Sequence, residues 1–261
     1  MGHLRLGRLP KSRRWSEVIE LIDARPEDPA GIAAAVVQAA DRQLRELADD
    51  PSVGYCFWML TRVASASRAS SFADELARIG LSVRDDEPLL TFVSRVADVV
   101  RSRTTSLTSS GHFSELASLA LRRALSETVG QQGRSLFGTS LEDLQAAFRA
   151  HSSQRGFGHI SRRFFGDFLA RTITSLIDRE LSQHVGRSSG FTSIADSADF
   201  AKALDTHTRQ SARILEEFAS SWYSKHNWET KGQITIEEAQ GFTAIALRKL
   251  RMDLKLGAVE L

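Results

Sequence analysis

Apolar residues recur at spacings of three and four along almost all of the 261-residue chain, the period of an α-helix with one face turned to a core. No run of β-branched residues alternates with polar ones over more than a few positions, so strands are not expected. The chain is predicted to be all-α. Its first helical face is Trp15, Val18, Ile19 and Ile22, preceded by Ser12 as a candidate N-cap. "RPEDP" then breaks the chain, and Asp28-Pro29 supplies an N-cap followed by proline at the first helical position, where its missing N–H costs nothing. The next face, Ile32, Val36, Val37, Ala40, Leu44 and Leu47, reads as one helix. Asp50-Pro51 repeats the device and opens an aromatic helix with Phe57, Trp58, Leu60 and Val63.

Ser71 and Asp74 have capping-box spacing, and Gly80 follows Ile79 as a helix stop should. After "DDEP" comes a broad face from Leu89 to Val100, then "RSRTTSLTSSG" over 101–111, which reads as an exposed linker. A boundary there divides an N-terminal helical subdomain, 15–105, from a C-terminal one, 111–261; the alternative is one continuous domain. A further helix is expected from Ser114 to Val129, and a short one behind Ser140 with Asp143 at the third helical position.

The stretch from Phe157 to Gly186 differs from the rest. Phe157, Ile160, Phe164 and Phe168 lie on one side of a helix and Phe165, Leu169, Ile173 and Leu176 on another, so more than half of its circumference is apolar and neighbours must surround it. What remains is a polar strip of Arg163, Asp167, Arg171, Thr174 and Asp178, with signs alternating at pairing distance; it reads as a self-neutralised solvent edge, the alternative being a charged groove for a partner. Beyond "GRSSG", Phe200, Leu204, His207, Ser211, Ile214, Leu215, Phe218 and Trp222 form a coiled-coil-like seam, and Thr235 with Glu238 opens the last helix. The expected architecture is a bundle of about eight to ten helices around a central buried helix at 157–185.

Composition narrows the chemistry. Lys+Arg 34 against Asp+Glu 32 leaves a formal charge of +2, too little for a global field that draws nucleic acid or anionic membrane. Lysine occurs only at Lys11, Lys202, Lys225, Lys231, Lys249 and Lys255; the preference for arginine and alanine points to a GC-rich bacterial source. The single cysteine, Cys56, lies in "YCFWML" and reads as a buried, inert thiol. The first residues carry charge where a secretory leader needs an apolar run, and no segment approaches the ~18 apolar residues of a membrane span. A cytoplasmic protein is expected.

Catalytic signatures are sparse. "GRSLF" at 133–137 lacks the second glycine of a nucleophile elbow, and "GFGHIS" from Gly156 follows no strand, so it is no phosphate cradle. Glu216-Glu217 and Glu237-Glu238 read as solvated charges. Glu180 and His184, one turn apart, with His207 from the next helix, are the only candidate metal ligands, in the absence of any HExxH or CxxC. No cofactor is expected. The strongest local charge is an N-terminal arm, 1–14, in which Arg5, Arg8, Lys11, Arg13 and Arg14 are interleaved with Leu4, Leu6 and Leu9 around Pro10. Such arms fold back over their own body with the leucines in its clefts, dock into acidic grooves of partner proteins, or bind phosphate backbones. A second basic group, Arg248, Lys249, Arg251 and Lys255, lies on the last helix, offset in part by Asp253. The reading is a non-catalytic helical interaction subunit, an accessory or regulatory component of a bacterial multi-protein complex, with another protein as its partner. A nucleic-acid-binding protein using the arm is the alternative, and a metal-dependent enzyme the second.

Overall fold

A computed structural model describes residues 12–24, 26–107, 112–129, 140–183 and 191–256. Among them are twelve helices and no strand: α1 (Arg13–Ala24), α2 (Pro29–Ala39), α3 (Asp41–Ala48), α4 (Pro51–Ala66), α5 (Phe72–Arg78), α6 (Leu89–Leu107), α7 (His112–Val129), α8 (Leu141–Ala150), α9 (Gln154–Gln183), α10 (Ile194–Ser211), α11 (Ile214–Glu229) and α12 (Ile236–Leu256). The all-α fold is as expected. None of the helices among the described residues is long and apolar enough to cross a membrane.

Local chemistry sets most helix starts. Asp28 Oδ1 accepts from the Gly31 N–H at 2.8 Å and Asp50 Oδ1 from the Ser52 N–H at 2.8 Å, each satisfying a donor that the first turn would otherwise leave unpaired. Ser140 with Asp143 and Thr235 with Glu238 form reciprocal capping boxes. Ser71 occupies the N-cap position of α5 but makes no side-chain cap bond. Gly80, at φ +81°, ends that helix in the left-handed conformation as its stop.

Twelve helices replace the expected eight to ten because two apolar faces that read as single helices are each broken. The chain departs from helical geometry at Ala40, between α2 and α3, and at Ala212, between α10 and α11. Both residues stay close to helical dihedrals, with φ/ψ of −90/12° and −69/−1°, so the apolar phase continues across the breaks and periodicity does not register them. The second break presses against α9: a side chain on Gly166 would stand 3.1 Å from the Ala212 Cβ. A third difference lies at the expected linker, where residues 101–107 continue α6 and Thr104 is buried, accepting a hydrogen bond from Ser114 at 2.9 Å. Arginines at 101 and 103 made that turn read as solvated, and they are indeed exposed on its outer side.

Helix α9 packs against α2, α4, α7, α10 and α11. Its residues 164–170 are all buried. Helix α4 is enclosed more fully than α9, with 13 of its 16 residues buried, and packs against α5, α6, α7, α8, α9 and α12. Where the two meet, Phe57 lies among Phe157, Phe164, Phe165, Trp222 and Phe242, with ring centroids between 4.8 and 6.3 Å away. Cys56 beside it is fully buried, and burial pushes its thiol far above the usual range, consistent with an inert packing residue. Gly158 explains how close α9 and α11 come: a Cβ there would lie 2.3 Å from the Glu216 carbonyl oxygen.

Candidate functional site

The polar strip of α9 is turned inward in its middle. Asp167 is 1% exposed and accepts from Arg123 of α7 at 3.2 Å, from Arg171 of α9 at 2.6 Å and from Arg209 of α10. Glu127 of α7 is held by Arg123 at 2.5 Å and Arg163 at 2.8 Å. Burial opposes ionisation of the Glu127 carboxyl, but the two guanidinium groups outweigh it and hold its pKa below the usual value. The alternating signs thus pair across three helices as well as along α9.

A recess of about 1130 Å³ lies elsewhere, between the C-terminal half of α4, the turn after it, α5, and the C-terminal half of α11 with its following turn. Arg62 of α4 forms its floor at 6% exposure. The guanidinium donates to the Gly232 carbonyl at 2.6 Å and stands 3.7 Å from Glu75. Burial pulls the pKa of Arg62 below the ordinary arginine value, partly offset by Glu75. Ser65 Oγ donates to Asn227 Oδ1 at 2.7 Å; its proton being committed, the Tyr223 hydroxyl donates to Ser65 across 3.1 Å. Burial raises the Tyr223 pKa, and its ring stacks on Phe157 at 3.8 Å. Arg68 bonds Ser152 Oγ at 2.9 Å. Arg62, Ser65 and Tyr223 are each held at two points, which limits the motion of the floor.

The rim is different in character. Trp228 is 85% exposed, the most exposed of the large hydrophobic side chains among the described residues. Beyond it the chain leaves α11 through Lys231, at φ 51°, and Gly232, at φ +83°, with the Gly232 N–H bonded to the Asn227 carbonyl at 2.9 Å. Lysine in this left-handed region is strained where glycine would not be. Lining cations are Arg62, Arg68, Lys225 and Lys231, against the carboxylates Glu75 and Glu229. The recess therefore carries excess positive charge beside an exposed indole, on a fixed polar floor.

Residues singled out by sequence fall elsewhere. Arg5, Arg8, Lys11 and His184 lie outside the described residues, as does the side chain of Glu180. Arg13 and Arg14 begin α1: Arg13 pairs with Glu17 at 3.2 Å and Arg14 donates to the Gln38 carbonyl at 3.3 Å. His207, half-buried on α10, feels the carboxylates Asp28 and Asp253. No group of three or more His, Cys, Asp or Glu residues able to hold a metal occurs among the described residues. On α12, Arg251 and Lys255 reach Asp41 of α3 at 3.7 and 2.5 Å, and Lys249 sits 5.2 Å over the Phe218 ring, so Asp41, not only Asp253, offsets that group.

Two imidazoles give a pH dependence. Burial lowers the pKa of His159, reinforced by Arg163, and burial lowers that of His207 against the pull of Asp28 and Asp253. The unfolded chain therefore takes up these protons first, near pH ~6.5, and stability falls as pH drops through and below that value. Urea denaturation at a series of pH values should show this loss, and His207→Gln should reduce its slope; an unchanged slope contradicts the assignment. Comparison of the chain with protein-family models, with curated proteins and with solved structures finds no match.

Proposed function

We propose that the protein is a non-catalytic helical interaction subunit of a bacterial cytoplasmic complex, and that the recess between α4 and α11 receives an acidic segment of its partner, anchored by an apolar residue against Trp228. The observation that carries this is the exposed indole beside Arg68, Lys225 and Lys231. An exposed aromatic surrounded by charges of one prevailing sign is the composition of a binding hot spot. Lys231 supports it further, because a strained residue kept where glycine would relax the backbone indicates a role for its side chain. The arm at 1–14 supplies a second contact to the same partner through Arg5, Arg8 and Lys11, whereas Arg13 and Arg14 begin α1.

Single-stranded nucleic acid is the second reading, favoured by the same indole, on which a base stacks. A segment of protein is preferred because Glu75 and Glu229 interrupt the cationic lining, and an evenly charged phosphate chain cannot avoid them as a peptide can.

The test uses a short peptide of glutamates with one central phenylalanine, and an oligothymidylate, each followed by tryptophan emission in the native chain and by titration calorimetry in the variants. The peptide should shift the emission of the native chain. Trp228→Ala should weaken binding by about thirtyfold, a loss of ~2 kcal/mol, with stability changed by less than ~0.5 kcal/mol because the side chain is exposed. Lys231→Gly separates function from folding: it should raise stability by up to about 1 kcal/mol while weakening the peptide by roughly threefold. Binding of the oligonucleotide alone, falling steeply with salt, would move the assignment to nucleic acid; binding of neither would remove it.

A further inference from the structure

The mixed-charge network on α9 borders a second recess, about 350 Å³ in volume, lined by Arg123, His159, Arg162, Arg163, Asp167 and Arg209 among others. We propose that this recess binds a small dianion carrying a phosphate group. Three observations converge on it. The lining has four arginines, Arg123, Arg162, Arg163 and Arg209, against two carboxylates, Glu127 and Asp167, while Glu216 and Asp205 outside it pair with Arg162 and Arg209, so a phosphate would be held by the guanidinium N–H groups that these carboxylates leave unused. Both carboxylates are already saturated: Asp167 is engaged by Arg123, Arg171 and Arg209, and Glu127 by Arg123 and Arg163. Donors remain on the cationic side, since each guanidinium carries five N–H groups while Arg162 uses Nη1 on Glu216 and Arg163 uses Nε on His159 and Nη1 on Glu127.

The volume falls at the lower end of small-molecule sites, which suits a compact phosphorylated metabolite. Gly166 lines the same recess. Arginine is the side chain whose planar fork matches phosphate oxygens, and His159 stands 3.4 Å from the Arg163 Nε, so it senses the charge of whatever neutralises that guanidinium. The site is distinct from the α4–α11 recess and does not depend on the function proposed there.

The experiment follows the His159 imidazole by NMR in the full chain, titrated with pH in the absence and presence of inorganic phosphate, glucose 6-phosphate or succinate. Either phosphate should move the His159 midpoint upward, because a bound dianion offsets the arginines that disfavour its protonation. Arg162→Gln and Arg163→Gln are the variants of choice, since both side chains pair at the half-exposed edge and leave Asp167 with its three arginines. Each should weaken phosphate by about tenfold or more, the loss of one charge-assisted hydrogen bond. Arg155→Gln, which acts on His159 from outside the recess, should shift the midpoint of the free protein but leave phosphate affinity unchanged. A midpoint that neither phosphate moves, a response to succinate alone, or undiminished affinity in both recess variants would overturn the proposal.

Discussion

Replacing Phe57 by alanine lowers the free energy of unfolding by about 4 kcal/mol, in the range for a fully enclosed aromatic. Phe57 is completely buried, and its ring meets three phenylalanines of α9, Trp222 of α11 and Phe242 of α12. One side chain thus joins four helices, and these neighbours are themselves in mutual contact, as Phe165 and Trp222 are with Phe242 at 6.0 and 4.6 Å. Collapse around the vacated volume would require rings on several helices to move together, so most of the cavity should persist. The measurement is a urea midpoint at constant slope. A loss below about 1 kcal/mol would mean that α4 and α9 are not joined through this ring.

Asp167→Ala should destabilise by about 3 kcal/mol, the low end for breaking a buried charge network. Three guanidinium groups from three helices converge on a carboxylate that is 1% exposed. Without it they repel one another, although their own partial exposure, 24–42% of the side chain, lets water screen part of that repulsion. The signature is chemical as well as energetic: Asp167→Asn, which keeps the volume but removes the charge, should cost nearly as much as alanine. If asparagine is neutral, the site is held by packing and the charges are incidental.

Helix positions are largely legible from local chemistry. Asp28, Asp50, Ser140 and Thr235 act within three residues of themselves, so their capping roles are written into adjacent positions. The breaks at Ala40 and Ala212 are not legible, because near-helical dihedrals carry the apolar phase through them. The candidate site is harder still. Arg62 meets Gly232 across 170 positions and Ser65 meets Tyr223 across 158; no periodicity links residues so distant in the chain. Trp228 has a partial signal, since it falls off the seam of Phe218 and Trp222, but a lone aromatic off a helix face is common. The polar strip of α9 reads as a self-neutralised solvent edge, but Asp167 in its middle is buried and, apart from its pair with Arg171, the strip is neutralised by Arg123, Glu127 and Arg209, partners that emerge only once three helices are packed.

Both recesses are built on elements anchored by the aromatic cluster, one at Tyr223 stacked on Phe157 and one at the buried segment 164–170 of α9. Rigid supports of this kind hold polar groups in place before a ligand arrives, which lowers the entropy lost on binding.

Amide hydrogen exchange of the full chain, with and without the glutamate–phenylalanine peptide, tests the docking proposal most directly. Slowed exchange is expected in two separate stretches of sequence, 62–69 and 223–233, which together line the larger recess. Peptide binding that slows exchange only outside these stretches, or that persists undiminished in Trp228→Ala, would contradict it.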